Sequence, residues 1–176
     1  MGSGDKVKAV EFLETPEPVA IVRSRLSSEV LAECSPFREE IVELRLVSRD
    51  GVGDLTQLAK FPKLRRLYVV DRCQDDLSFL KNLSELEVLA VSENRRLELD
   101  FQYWPRLRQL GVDVSKKRLK HAEQALYFET LVVSGSPGLD LAEFALFPSL
   151  EAGSVRWTVF HWTSGGLIPS FELGWG

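Results

Sequence analysis

The stretch "ELEVLAVSEN", Glu85–Asn94, places apolar side chains at Leu86, Leu89 and Val91, offsets of three and then two. An amphipathic helix would add an apolar residue at offset four or seven, and a half-buried strand would alternate with period two throughout. Neither template fits. The spacing must therefore be sought elsewhere in the chain before a local reading is trusted.

It recurs five more times. With the apolar sites taken as positions one, four and six, the copies are Ile41, Leu44, Leu46; Leu64, Leu67, Val69; Leu86, Leu89, Val91; Leu107, Leu110, Val112; Phe128, Leu131, Val133; and a degenerate Leu150, Gly153, Val155. Successive first positions lie 23, 22, 21, 21 and 22 residues apart. A second motif sits between the triplets: Leu55, Leu58 and Phe61 before Pro62; Leu77, Leu80 and Leu83; Phe101 and Trp104 before Pro105; Leu141, Phe144 and Phe147 before Pro148. A step of three predicts a short helical or 3₁₀ turn with one face inward. Asp54 and Asp76 stand where a carboxylate caps such a turn, and the prolines stand where its hydrogen bonding must stop. Each unit of strand and turn cannot bury its apolar side alone, whereas stacked units align their strands into a parallel sheet over one core.

The segment "LEVLAVSEN" resembles the LxxLxLxxN signature of leucine-rich repeat proteins, and the copies from Ile41 to about Val155 cover roughly two thirds of the chain. The resemblance implies an α/β solenoid of about six turns, with parallel strands on a concave face, short helices or 3₁₀ turns on a convex face, and capped ends. The family's ladder asparagine is present only as Asn94; Arg49, Arg72 and Ser136 occupy matching positions, so the chain resembles a short, divergent member of that family. "SKKRLKHAEQALY", Ser115–Tyr127, predicts a fuller helix through Leu119, Ala122 and Leu126. Residues 1–40 read as an N-terminal cap with two β-like runs, "KVKAVEFLE" and "PVAIVRSRL", and a short helix in "SSEVLAEC"; 41–156 as the repeats; 157–176 as an aromatic C-terminal cap in which "SVRWTVFHW" and "LIPSFELGW" flank "TSGG" as a hairpin or loop pair. "MGSG" at 1–4 has the composition of an expression scar and is left out of fold reasoning.

The 176 residues suit one domain with a sizeable core. Twenty-two basic against 26 acidic residues, net charge -4, favour neither nonspecific nucleic-acid binding nor an anionic membrane. No run approaches the ~20 apolar residues of a membrane span. Cys34 and Cys73 form no CxxC pair, so neither a disulfide framework nor a zinc site is expected, and the cytoplasm is the expected compartment.

Motifs that would carry chemistry are incomplete. "GVGD" has Gly51 and Gly53 but Thr56 where a dinucleotide loop needs its third glycine, and a turn accounts for both. His121 and His161 lack ligand spacing, and Ser136 in "SGSPG" lacks the GxSxG context of a nucleophile. The basic run "KKRLKH", Lys116–His121, reads as a solvated face more readily than as a phosphate contact. Trp157, Trp162, Trp175, Phe160 and Phe171 read as the seal of one end. No cofactor or metal and no enzymatic activity are expected.

What remains is the outward side of the strands, where positions two, three and five point away from the core. Position two carries Val42, Arg65, Glu87, Arg108, Glu129 and Glu151; position three Glu43, Arg66, Val88, Gln109, Thr130 and Ala152; position five Arg45, Tyr68, Ala90, Gly111, Val132 and Ser154. The candidate partner-binding residues are Arg45, Arg65, Arg66, Tyr68, Glu87, Arg108 and Glu129, with small Ala90 and Gly111 leaving room beside the arginine and tyrosine cluster. The expected function is a non-enzymatic protein-binding module, and from economy a single-partner inhibitor such as a bacterial immunity or antitoxin protein. A scaffold or adaptor is the alternative, and a nucleic-acid binder or unrecognised enzyme the second.

Overall fold

The computed structural model describes residues 9–13, 15–47, 51–69, 77–91, 99–113, 119–134, 156–163 and 166–173, and of the last two segments the backbone alone. The elements run β1 (Val10–Leu13), β2 (Val19–Val22), α1 (Ser28–Cys34), β3 (Glu43–Leu46), β4 (Arg66–Val69), β5 (Val88–Val91), β6 (Leu99–Asp100), β7 (Gln109–Asp113), β8 (Leu119–Lys120), β9 (Thr130–Ser134), β10 (Arg156–Thr163) and β11 (Gly166–Leu173). Turns of 3₁₀ helix at Leu55–Lys60, Ser78–Asn82, Phe101–Tyr103 and Ala122–Gln124 separate consecutive strands. The result is a mixed α/β architecture built on an open sheet ordered β1-β2-β3-β4-β5-β7-β9-β10-β11. Its two ends, β1 with β2 and β10 with β11, pair antiparallel; every pairing from β2 through β10 is parallel.

The register follows the triplets. Leu44, Leu67, Leu89, Leu110 and Leu131 are successive partners, as are Leu46, Val69, Val91, Val112 and Val133. Leu44, Leu67 and Leu89 are fully buried, because alternation along each strand turns positions four and six to the same side. Position one joins them at Ile41, Leu64, Leu86, Leu107 and Phe128. β2 prepends a further strand in the same register, with Ala20 beside Leu44 and Val22 beside Leu46.

The facing layer is supplied by the turns. Leu55, Leu58 and Phe61, then Phe101 and Trp104, bury the inner side of their turns, as the step of three requires when residues i and i+3 eclipse. Trp104 is wholly enclosed and donates its indole N–H to the Leu80 carbonyl at 2.9 Å, one repeat back. Asp54 caps the first turn by accepting from the Thr56 amide at 3.0 Å. Asp100 does the same for Gln102 at 3.1 Å. Helix α1 starts at Ser27, whose Oγ accepts from the Val30 amide, and it lays Val30, Leu31 and Cys34 on the core. Gly51 and Gly53 both have positive φ, and a Cβ on Gly53 would meet the Leu26 carbonyl oxygen at 2.4 Å, so this turn needs glycine.

One expectation is corrected. The helix predicted over Ser115–Tyr127 is absent from the described part of that segment: Leu119–Lys120 pairs in parallel with Leu99–Asp100, and His121 takes a left-handed φ of 53°. A right-handed helix cannot pass through that residue. The buried positions are Ala122, Ala125 and Phe128, again at steps of three, while Leu126 is 64% exposed. The hairpin read around "TSGG" is present in the backbone as β10 and β11, with a register shift between Val159 and Phe160. The copy at Leu150, Gly153 and Val155, the turn over Leu141–Pro148, Asp76, Asn94, Arg49, Arg72, Cys73, Ser136 and Lys116–Arg118 lie outside the described residues, as do the side chains of the C-terminal aromatics.

Candidate functional site

The outward columns are built by the same backbone register. Glu43, Arg66, Val88, Gln109 and Thr130 are consecutive partners along position three, and Arg45, Tyr68, Ala90, Gly111 and Val132 along position five. At position two each carbonyl accepts two amides of the next repeat: Val42 from Arg65 and Arg66, Arg65 from Glu87 and Val88, Glu87 from Arg108 and Gln109, and Arg108 from Glu129 and Thr130. These bonds space the side chains of successive repeats by about one strand separation, ~4.8 Å.

At that spacing the position-two charges alternate and pair. Arg65 lies 3.4 Å from Glu85 and 3.9 Å from Glu87; Arg106 reaches Glu85 at 2.7 Å; Arg108 pairs with Glu129. Hydrogen bonds to Glu129, with its charge, hold the Arg108 guanidinium above its ordinary pKa. These exposed and half-buried pairs settle the orientation of the side chains more than they add to stability.

Positions three and five hold a tighter cluster at β3 and β4. Glu43 is 8% exposed at its side chain, and its two oxygens accept separately from Arg45 Nε at 2.6 Å and Arg66 Nε at 2.8 Å. The Arg45 guanidinium lies over the Tyr68 ring, 5.4 Å from its centroid. Burial and the nearby Glu43 charge push the Tyr68 phenol pKa up, outweighing the opposite pull of Arg45 and Arg66. Burial alone would lower the Arg66 pKa, but its hydrogen bonds to Glu17 and Glu43 raise it above the ordinary value. The Arg66 guanidinium is therefore held in its charged form, and Glu43 fixes the direction of both arginines. Past Tyr68 the face drops to Ala90 and Gly111, so close that a Cβ on Gly111 would meet the Ala90 Cβ at 3.2 Å.

The structure thus brings Arg45, Arg66 and Tyr68 together and sets Arg65, Glu87, Arg108 and Glu129 beside them as a paired charge row. Sequence reasoning placed Glu43 in the right column but did not select it, and it missed Glu17. It also missed a second polar contact on the turn side, where His121 Nδ1 lies 2.7 Å from Asp100 Oδ1. The signal for that pair was the repeat itself: the two residues are 21 positions apart and stand before equivalent 3₁₀ turns. Asp100 loses by burial, yet its bonds from His121 and Gln102 bring its pKa below the ordinary value.

Among the described residues no group of three His, Cys, Asp or Glu side chains is placed to hold a metal ion, and no helix is long and apolar enough to cross a membrane. An open hollow of about 340 Å³ between the first two 3₁₀ turns is lined by Asp54, Thr56, Ser78 and Lys81, and the Asp54 carboxylate there is engaged by Thr56 and Gln57. No protein-family model, curated protein or solved structure matches the chain.

Proposed function

We propose that the chain is a short leucine-rich-repeat solenoid that works as a non-enzymatic protein-binding module, through the sheet face bearing Arg45, Arg65, Arg66, Tyr68, Glu87, Arg108 and Glu129. The observation that supports this is the register of positions three and five over β3, β4, β5, β7 and β9. It gives an extended, pre-oriented surface on which an arginine and tyrosine cluster adjoins small residues. Arginine and tyrosine are enriched among residues that dominate binding energy, and side chains already held in place lose less freedom on association.

Within that class the reading is a cytoplasmic single-partner inhibitor of the immunity or antitoxin kind. The chemistry of such a protein lies in occupying its partner, and the surface described is suited to occupation. The test is co-expression with candidate toxins, reading cell survival and co-purification. Neutralisation of one toxin at equimolar amounts, with a stable pair on gel filtration, is expected. Full toxin activity in the presence of molar excess across the panel removes the inhibitor reading.

A further inference from the structure

With each Nε committed to Glu43, the Arg45 and Arg66 guanidinium groups are oriented by one enclosed carboxylate. A guanidinium carries five N–H donors, so the anchoring leaves four on each. On Arg66, Nη2 is taken by Glu17, which belongs to the turn between β1 and β2 and is 58% exposed. On Arg45, 44% exposed, no described residue hydrogen-bonds the two terminal nitrogens, and the guanidinium lies over the Tyr68 ring. Glu43 is enclosed and shared by two cations, whereas Glu17 is held at the rim. The four charges cancel, and withdrawal of Glu17 alone leaves the cluster with one net positive charge facing solvent beside Tyr68.

We infer that this cluster is a receptor for an aspartate or glutamate side chain of a protein partner, and that Glu17 occupies it in the free chain as an internal stand-in which the partner's carboxylate displaces. The inference rests on the reading of the sheet face as a protein-binding surface. A planar fork pre-set at Nε matches a carboxylate in bidentate fashion. A polyanion is disfavoured, because Glu85, Glu87 and Glu129 stand on the adjoining position-two row and at its foot, and the chain carries a net charge of -4. Displacement costs the free chain one exposed ion pair, so Glu17 tunes affinity by a small factor and leaves the fold intact.

The experiment is a titration of the ¹⁵N-labelled chain at low ionic strength with an acetylated and amidated Gly-Gly-Glu-Gly-Gly peptide, which carries a single carboxylate, following the arginine Nε–Hε signals and the amides of β3 and β4. The same peptide with glutamine in place of glutamate, and inorganic phosphate, serve as comparators. Saturable shifts at Arg45 and Arg66 with the glutamate peptide alone are expected, tightened about two- to fivefold by Glu17→Gln and weakened about tenfold by Arg45→Lys, which keeps the charge and loses the fork. Equal shifts from the glutamine peptide, no saturable shift, or no change on Glu17→Gln would overturn the inference. Phosphate binding as tightly as the peptide would overturn the carboxylate assignment. Failure here with toxin neutralisation intact removes only this inference; saturable peptide binding with no toxin neutralised removes only the inhibitor reading.

Discussion

Arg66 follows Glu43 by 23 residues, yet the two are direct neighbours in the parallel ladder, and the Arg66 Nε donates to the Glu43 carboxylate across 2.8 Å. Because Arg45 holds the other oxygen, one enclosed carboxylate sets the direction of two cations on the sheet face. Removing the charge at its centre leaves both arginines facing each other. Glu43→Gln is expected to lower unfolding stability by about 1–3 kcal/mol in urea titrations. An unchanged midpoint would show that the cluster is not held together through Glu43.

Gly53 is expected to tolerate no side chain. Its φ of 81° disfavours an L residue, and the Leu26 carbonyl oxygen stands where the Cβ would go. Gly53→Ala should cost about 2 kcal/mol or more, since strain from left-handed backbone adds to a backbone clash. The urea midpoint measures it.

Acid should act through Asp100. Its folded pKa lies below the ordinary carboxyl value, so in the acid range the unfolded chain binds the proton more readily than the folded one. The stability it contributes is complete above the unfolded value of about 4 and is lost as pH falls through the folded value. Asp54 shifts in the same direction, through hydrogen bonds from Thr56 and Gln57. Asp100→Asn should flatten the acid limb of a stability-versus-pH curve, and Asp100→Ala should cost about 1 kcal/mol at neutral pH through the lost cap.

Cys34 should be chemically silent. Desolvation, with help from Glu33, raises its thiol to about 11, and its side chain is enclosed under α1. The thiolate is the reactive form, so iodoacetamide at neutral pH should leave Cys34 unmodified in the native chain and alkylate it after unfolding. Peptide mass mapping reads both states.

The repeat made most of the strand layer legible before any coordinate. Leu44, Leu67, Leu89 and Leu110 recur at one slot of each unit, and a fixed period constrains the register as strongly as it does the strands. The turn before Phe128 was misread because Ala122 and Ala125 carry little apolar signal, so Leu119, Ala122 and Leu126 drew a helix through a residue that adopts left-handed backbone. Glu43 went unselected for a different reason. A carboxylate in an outward column ordinarily reads as solvated, whereas this one is buried with an arginine on each oxygen. Asp100 and His121 were each unremarkable alone, and their contact exists only when consecutive repeats are stacked.

The most direct test of the protein-binding face is calorimetric affinity for a captured partner, comparing the wild-type chain with Arg45→Ala/Tyr68→Ala. Arg66 still pairs with Glu43 in that variant, and melting temperature confirms that it folds. Loss of about 2–4 kcal/mol, roughly 30-fold or more in Kd, is the expected result for two central anchor residues. Affinity unchanged in a folded double variant would contradict the account and move the contact away from this face.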